Sequence, residues 1–317
     1  MNTFIRVAEV WVPSDDGSLL ELQQGLYDAA PAFGASSQAL YFGRAEGLPG
    51  WAWDEGRPLL LSQLQGSCFR RAAAAQAAGL NSAIALPIFA GDRLTSVVVL
   101  LCGNGSEAQV GAMELWHNDP RVTSDLTLAD GYFGATAPSL EELSRDTYLP
   151  RGTGLPGLAW QREAAVFIDN IGASHQFLRS QTAASAGIVR GLAIPCHTPR
   201  HETWVLSLLS SALTPIARRV ESWIVDDSGE RLQRAFGFCE ASGGSLPAGE
   251  ASARPTPTLG AIGRAWATAT AQATRGADLA GEALAAELEA AGLRSVLAIP
   301  VVGDDGATVS EVLALYF

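Results

Sequence analysis

The chain has 317 residues, 48% of them apolar and only 17% charged, so it reads as a globular protein long enough for two or three separate cores. Its formal charge of −12 repels phosphate backbones and anionic lipid surfaces, which argues against nucleic acid and membrane as partners. All 21 basic residues are arginine, which excludes a Schiff-base lysine, a pyridoxal site and a P-loop lysine.

The N-terminal stretch lacks the apolar core of a signal peptide, and no segment approaches the roughly 20 apolar residues of a membrane span, so a soluble cytoplasmic protein is expected. The first element, "AEVWVPSDDGSLLELQQGLY", alternates around a polar Ser-Asp-Asp-Gly turn and predicts a hairpin. Glu9 and Trp11 are two residues apart and share one face of its first strand. "GLPGWAW" at Gly47–Trp53 follows, with glycines that permit a left-handed turn or a close approach before a helical turn. Next, "RPLLLSQL" reads as a short buried strand. The alanine-rich "FRRAAAAQAAGL" reads as a helix stopped at Gly79. Two strands close the series, "SAIALPIF" and "LTSVVVLLCG". Pro87 inside the former places that position at an edge or a bulge, because proline has no N–H for a ladder.

The same series then recurs twice. "MELW" (Met113–Trp116) and "VESW" (Val220–Trp223) repeat the Glu-x-Trp pair, and "GLPGLAW" (Gly154–Trp160) and "LGAIGRAW" (Leu259–Trp266) repeat the glycine phrase. "SAGIVRGLAIPC" (Ser185–Cys196) and "AAGLRSVLAIPV" (Ala290–Val301) repeat the helix end and the proline strand. Three markers kept in order and spacing make the chain a triplication, with units at 1–104, 105–212 and 213–317. In the second unit "PSLEELSRD" predicts a short helix with Ser139 as its N-cap. In the third, Ala280, Leu284, Leu288 and Ala291 give helical spacing that ends at Gly292. Trp53, Trp160 and Trp266 are expected as core anchors. Trp11, Trp116 and Trp223 are expected to pack as well, either in a pocket or at an interface.

This series resembles the GAF domain, with the third copy the most diverged. The resemblance implies an α+β fold of three tandem GAF-like domains, each a central antiparallel sheet with helices mainly on one face and a small-molecule pocket beneath them. The chain departs from the family in lacking room for the long terminal helices at its unit boundaries. The sheet faces those helices would cover must therefore pack on neighbouring units or on a second copy of the chain.

Candidate ligand-binding residues follow the short central strand, where the family binds ligands. In the second unit they are Asp169, Asn170, His175, Phe177 and Arg179, a carboxylate, amide, imidazole, aromatic and guanidinium set able to orient a small polar molecule. In the first they are Phe69 and Arg70, and the third offers Asp278. Cys196, His197 and His201 do not provide the tetrahedral set that zinc requires, so no metal is expected. No cofactor is required by the sequence, and no catalytic constellation emerges. The reading is a non-enzymatic small-molecule sensor acting through a partner protein, with homodimerisation open. A second reading is a scaffold with degenerate pockets, and a third is a thiol-dependent reductase using Cys68 and Cys102.

Overall fold

The computed structural model describes residues 2–103, 110–226, 228–248, 260–275, 287–303 and 305–317. The sequence positions Leu259, Asp278, Ala280 and Leu284 lie outside these residues.

The first unit runs β1 (Ile5–Pro13), β2 (Leu20–Leu26), α1 (Pro31–Ser37), β3 (Tyr41–Phe42), α2 (Gly47–Glu55), β4 (Leu59–Leu61), α3 (Ala72–Ala77), β5 (Leu80–Ala90) and β6 (Arg93–Gly103). The second runs β7 (Gly111–Asn118), β8 (Thr127–Tyr132), α4 (Pro138–Arg145), α5 (Gly154–Arg162), β9 (Val166–Ile168), α6 (Ser180–Ser185), β10 (Arg190–Cys196) and β11 (Thr203–Ser210). The third runs β12 (Arg219–Val225), β13 (Leu232–Cys239), β14 (Gly244–Leu246), α7 (Gly260–Thr268), β15 (Gln272–Arg275), β16 (Ser295–Val302) and β17 (Val309–Tyr316). Each unit forms its own antiparallel sheet, and the three share one strand order: β2-β1-β6-β5-β4, β8-β7-β11-β10-β9 and β13-β12-β17-β16-β15.

The repeated glycine phrase builds α2, α5 and α7. Its first glycine takes a left-handed φ of +58° at Gly47, +68° at Gly154 and +63° at Gly260, a conformation that costs other residues about 1–2 kcal/mol. Its second glycine lets the helix touch a neighbouring loop. A Cβ on Gly50 would lie 2.0 Å from the Gly43 carbonyl oxygen, and one on Gly157 would lie 2.4 Å from that of Pro150. The helix thus meets that loop backbone to backbone, while Leu48 and Leu155 on its other side enter the core over the sheet. Trp53 is buried beneath it, whereas Trp160 and Trp266 are only half-buried. The deepest anchors are instead Trp11, Trp116 and Trp223, each fully buried. Helix α4 also departs from expectation at its start: Ala137 is the N-cap, Pro138 occupies the first turn, and Ser139 lies inside the helix.

Both sheet faces are covered, and the strands divide their residues between them with period two. On β6, Val97, Val99 and Leu101 join the first unit's helix-side core, while Val98, Leu100 and Cys102 point the other way. There they meet Leu206 and Leu208 of β11 and Leu313 and Leu315 of β17 in one cluster drawn from all three sheets. This shared core explains why the strands read as unbroken apolar runs. It also covers the faces that terminal helices would otherwise have to cover.

The sheets join head to tail in a ring. The residue just before the last-strand valine opposite each buried tryptophan is Ser96, Trp204 or Glu311. Each meets the residue that precedes, or lies close before, another unit's short edge strand. The N–H of Ala271, before β15, donates to Ser96 Oγ at 3.1 Å. The N–H of Ala165, before β9, donates to Glu311 Oε2 at 2.7 Å. At the third seam the residue before β4 is Pro58, which has no N–H to offer. There the large apolar Trp204 takes the place of an acceptor, with the Arg57 guanidinium over its ring at 5.0 Å and His117 stacked on it at 4.1 Å. Such a heterologous interface closes after three steps. Pro87, Pro195 and Pro300 lie beyond the short edge strands in their ladders, and they line a small cavity of about 30 Å³ where the three units converge.

Candidate functional site

The Glu-x-Trp pair lies on the helix-facing side of the first strand of each sheet and seeds a buried ionic network there. In the first unit Trp11 Nε1 donates to Glu9 Oε2 at 3.0 Å, and Arg71 donates to Glu9 Oε1 and Oε2 at 2.5 and 2.8 Å. Ser37, at the end of α1, and Tyr27 donate to Glu9 Oε1 at 2.8 and 2.9 Å. The Arg71 guanidinium lies over the rings of Phe33, Phe69 and Trp11 at 4.7, 5.1 and 5.7 Å. Burial alone would raise the Glu9 carboxyl, yet the Arg71 charge and the hydrogen bonds from Arg71, Ser37 and Tyr27 hold it below the ordinary carboxylate range. Burial next to that carboxylate raises the Tyr27 hydroxyl.

The second unit repeats the design. Arg179 bonds both oxygens of Glu114, the Nη2–Oε2 distance being 2.8 Å, and also meets Ser144 of α4. Ser144 donates to Glu114 Oε1 at 2.8 Å, and Trp116 Nε1 donates to Glu114 Oε2 at 3.1 Å. Phe177 and Trp116 flank the guanidinium at 4.9 and 5.1 Å.

The third unit reaches the same end from different positions. Arg219, two residues before Glu221 on β12, bonds Glu221 Oε1 at 2.9 Å through Nε, and its Nη1 lies 2.9 Å from Glu287. Arg234, paired across the ladder with Trp223, stands 3.0 Å from the same carboxylate and 5.1 Å from the Trp223 ring. Trp223 Nε1 and Tyr316 donate to Glu221 Oε2 at 3.1 and 2.7 Å. Eight residues before the helix-ending glycine, where the other units carry Arg71 and Arg179, the third has Leu284. The sheet arginines supply a positive charge in its stead.

Of the sequence candidates, Phe177 and Arg179 enter this network, both buried. Phe69 does so in the first unit, but its polar companion is Arg71. Arg70 lies half exposed on the surface, 2.8 Å from Glu46. Asp169 is exposed and offers its backbone carbonyl to Arg190. Asn170 caps a single 3-10 turn by accepting from Ala173 N–H at 3.2 Å, and His175 stays outside the core. Glu9, Glu114, Ser37, Ser144 and Arg71 complete the network without belonging to the sequence candidates. The register from glycine would have found Arg71, because Arg71 precedes Gly79 by the same interval as Arg179 precedes Gly187.

Residues 2–128 match the family model described as the GAF domain. That region belongs to the GAF domain family. Its match ends within β8, and the common strand order of the three sheets carries a GAF-like α+β fold through the other two units. Among solved structures, the chain is similar to a free methionine-R-sulfoxide reductase from Neisseria meningitidis in complex with its substrate, at 19% identity over 33% of this chain and 53% of that one, with a TM-score of 0.25. It is similar to the A. aeolicus nlh2 GAF domain in an inactive state at 16% identity, over 32% of this chain and 60% of that one, with a TM-score of 0.26. It is also similar to an NreA protein from Staphylococcus aureus mutated in its nitrate binding site, at 16% identity, over 34% and 78% of the two chains, with a TM-score of 0.28. The chain therefore spans less than two thirds of the first two structures. No curated protein matches it.

A larger space lies between units. A cleft of about 1280 Å³ opens between the first and third, bordered by β1, the end of β2, Arg275 of β15 and the turn from Glu289 to Arg294. Among the described residues no helix is long and apolar enough to cross a membrane, and no cluster of three metal-ligating side chains occurs.

Proposed function

We propose that the chain is a non-enzymatic, small-molecule-responsive module of the GAF type that acts through a protein partner, with its ligand taken between units rather than inside one. The contrast in available space supports this reading. Beneath the helices of each unit a carboxylate, a guanidinium and a tryptophan fill the interior, whereas the large cleft lies at the seam of the first and third units. A ligand entering beneath α6, past Asp169, Asn170 and His175, would have to displace Arg179 from Glu114. Beneath α3 it would pass Arg70 and Phe69 and meet the same obstacle in Arg71.

The thiol-reductase reading gains no support from the cysteines. Cys102 belongs to the core shared between sheets, on the face opposite the helix-side core that holds Phe69, the neighbour of Cys68. Burial raises both thiols, which lowers their thiolate fraction. The filled interiors favour a second reading, a scaffold whose surfaces serve protein contact alone. Mass measured under native and then denaturing conditions tests between them. A non-covalent mass lost on denaturation is the expected result. Bare chains at every ligand concentration tried would leave the scaffold.

A further inference from the structure

The charged groups lining the cleft between the first and third units run against the charge of the chain. Among the described residues that line it, the charged side chains are Arg6, Arg218, Arg275 and Arg294 against Asp28 and Glu289, in a protein with a net charge of −12. Two of these arginines are oriented by main-chain carbonyls. Arg218 donates to Gly292 O at 2.8 Å and to Ala291 O at 3.3 Å, and Arg6 donates to Ala29 O at 3.1 Å. A guanidinium has five N–H donors, so the two carbonyl bonds of Arg218 fix its plane without using them all. Arg275 is tied to Asp28 at 3.2 Å by a solvent-exposed pair, which is worth little and exchangeable. Arg294 is exposed and makes no side-chain bond among the described residues.

The other two seams are built differently. Arg190 is closed off by a two-point pair with Glu240 at 2.8 and 2.9 Å, and Tyr132 spans the seam of the first and second units to Gly103 O at 3.2 Å. We infer that the cleft between the first and third units binds a small organic anion carrying two or more carboxylate or phosphate groups. Planar guanidinium forks match the paired oxygens of such groups, and several converging arginines favour a multivalent anion over a singly charged one. Wall residues such as Ile5, Leu26 and Leu293 give its carbon skeleton an apolar surface. The ligand would bridge two units of the ring. This inference rests on the reading of the chain as a small-molecule-responsive module and names the chemistry of its ligand.

The test uses the full chain with citrate and pyrophosphate as probes, followed by calorimetric titration and thermal melting at low and matched ionic strength. The expected result is saturable binding of at least one anion, a raised melting temperature, and an affinity lowered by about tenfold or more in Arg294→Gln and in Arg218→Gln. Arg294→Gln alters an exposed side chain, so it keeps the test valid if Arg218→Gln fails to fold. Absence of saturable binding to both anions overturns the inference, as does binding that both variants leave unchanged. A co-purified mass that Arg294→Gln retains and Arg179→Ala loses overturns the cleft assignment while leaving the small-molecule module standing. Bare chains together with no anion binding overturn both.

Discussion

Glu311 offers the sharpest test of how the ring is held together. Its carboxyl is buried at the seam of the second and third units, where Oε2 accepts the Ala165 N–H and Oε1 has no hydrogen-bond partner among the described residues. Burial pushes it from an ordinary 4.5 up to about 7, against the smaller opposing effects of the neighbouring Ser222 hydroxyl and the Ala165 N–H. A carboxyl whose folded value exceeds its unfolded one binds its proton more tightly in the native state. The associated stability is complete below pH 4.5 and is lost as pH rises through 7. At about 1.4 kcal/mol per tenfold change in proton affinity, the loss comes to roughly 3 kcal/mol. Glu311→Gln fixes a neutral group that still accepts from Ala165. Its fixed cost, an amide N–H₂ where Oε1 stood, does not vary with pH. Denaturant unfolding of both proteins from pH 3.5 to pH 8.5 should show the difference between them shifting in favour of the variant by roughly 3 kcal/mol, the shift accumulating between pH 4.5 and about 7 and levelling off above that. A difference that stays constant across this range would refute the reasoning.

The remaining predictions concern the buried networks and the helix seat. Glu9→Leu and Arg71→Met should each destabilise by about 3–5 kcal/mol, and the double variant by much less, because one partner left alone is an uncompensated buried charge; a double-mutant cycle in urea reads this. The depressed Glu9 carboxyl contributes stability that is present above its unfolded value of 4.5 and is lost as pH falls below it. Acid unfolding of Glu9→Gln should accordingly show a shallower limb than that of the parent. Gly50→Ala and Gly157→Ala should each lower the melting temperature by several degrees or prevent folding, since the new methyl meets a fixed carbonyl; Gly66→Ala, at an open left-handed turn, should cost only about 1–2 kcal/mol.

The fold was legible because the chain states it three times. Glycine phrases, proline strands and Glu-x-Trp pairs each recur on matching elements, and the largely unbroken apolar runs of β6, β11 and β17 signal burial on both faces. They could not say what covers the second face, because the covering residues are distant in sequence, as Ser96 and Ala271 are. The candidate site was half legible. Phe177 and Arg179 were found through their chemical types, but Glu114 and Glu9 stood in strands and read as sheet markers. Arg70 and Arg71 are alike in type and adjacent in sequence, so residue type alone does not tell the buried one from its neighbour on the surface. In the third unit no spacing rule leads to Arg219 and Arg234, since the charge has moved from a helix start to the sheet.

Three separate chains assembled in such a ring would be bound to repeat themselves: one gene would write the same group into every seam. Tandem linkage removes that constraint, and Ser96, Trp204 and Glu311 show the freedom in use. Of these three groups the hydroxyl and the indole do not ionise at physiological pH, while the carboxylate does. The pH dependence that Glu311 brings to stability is therefore lodged at one junction of the ring, in a position where neither of its two counterparts carries an ionisable group.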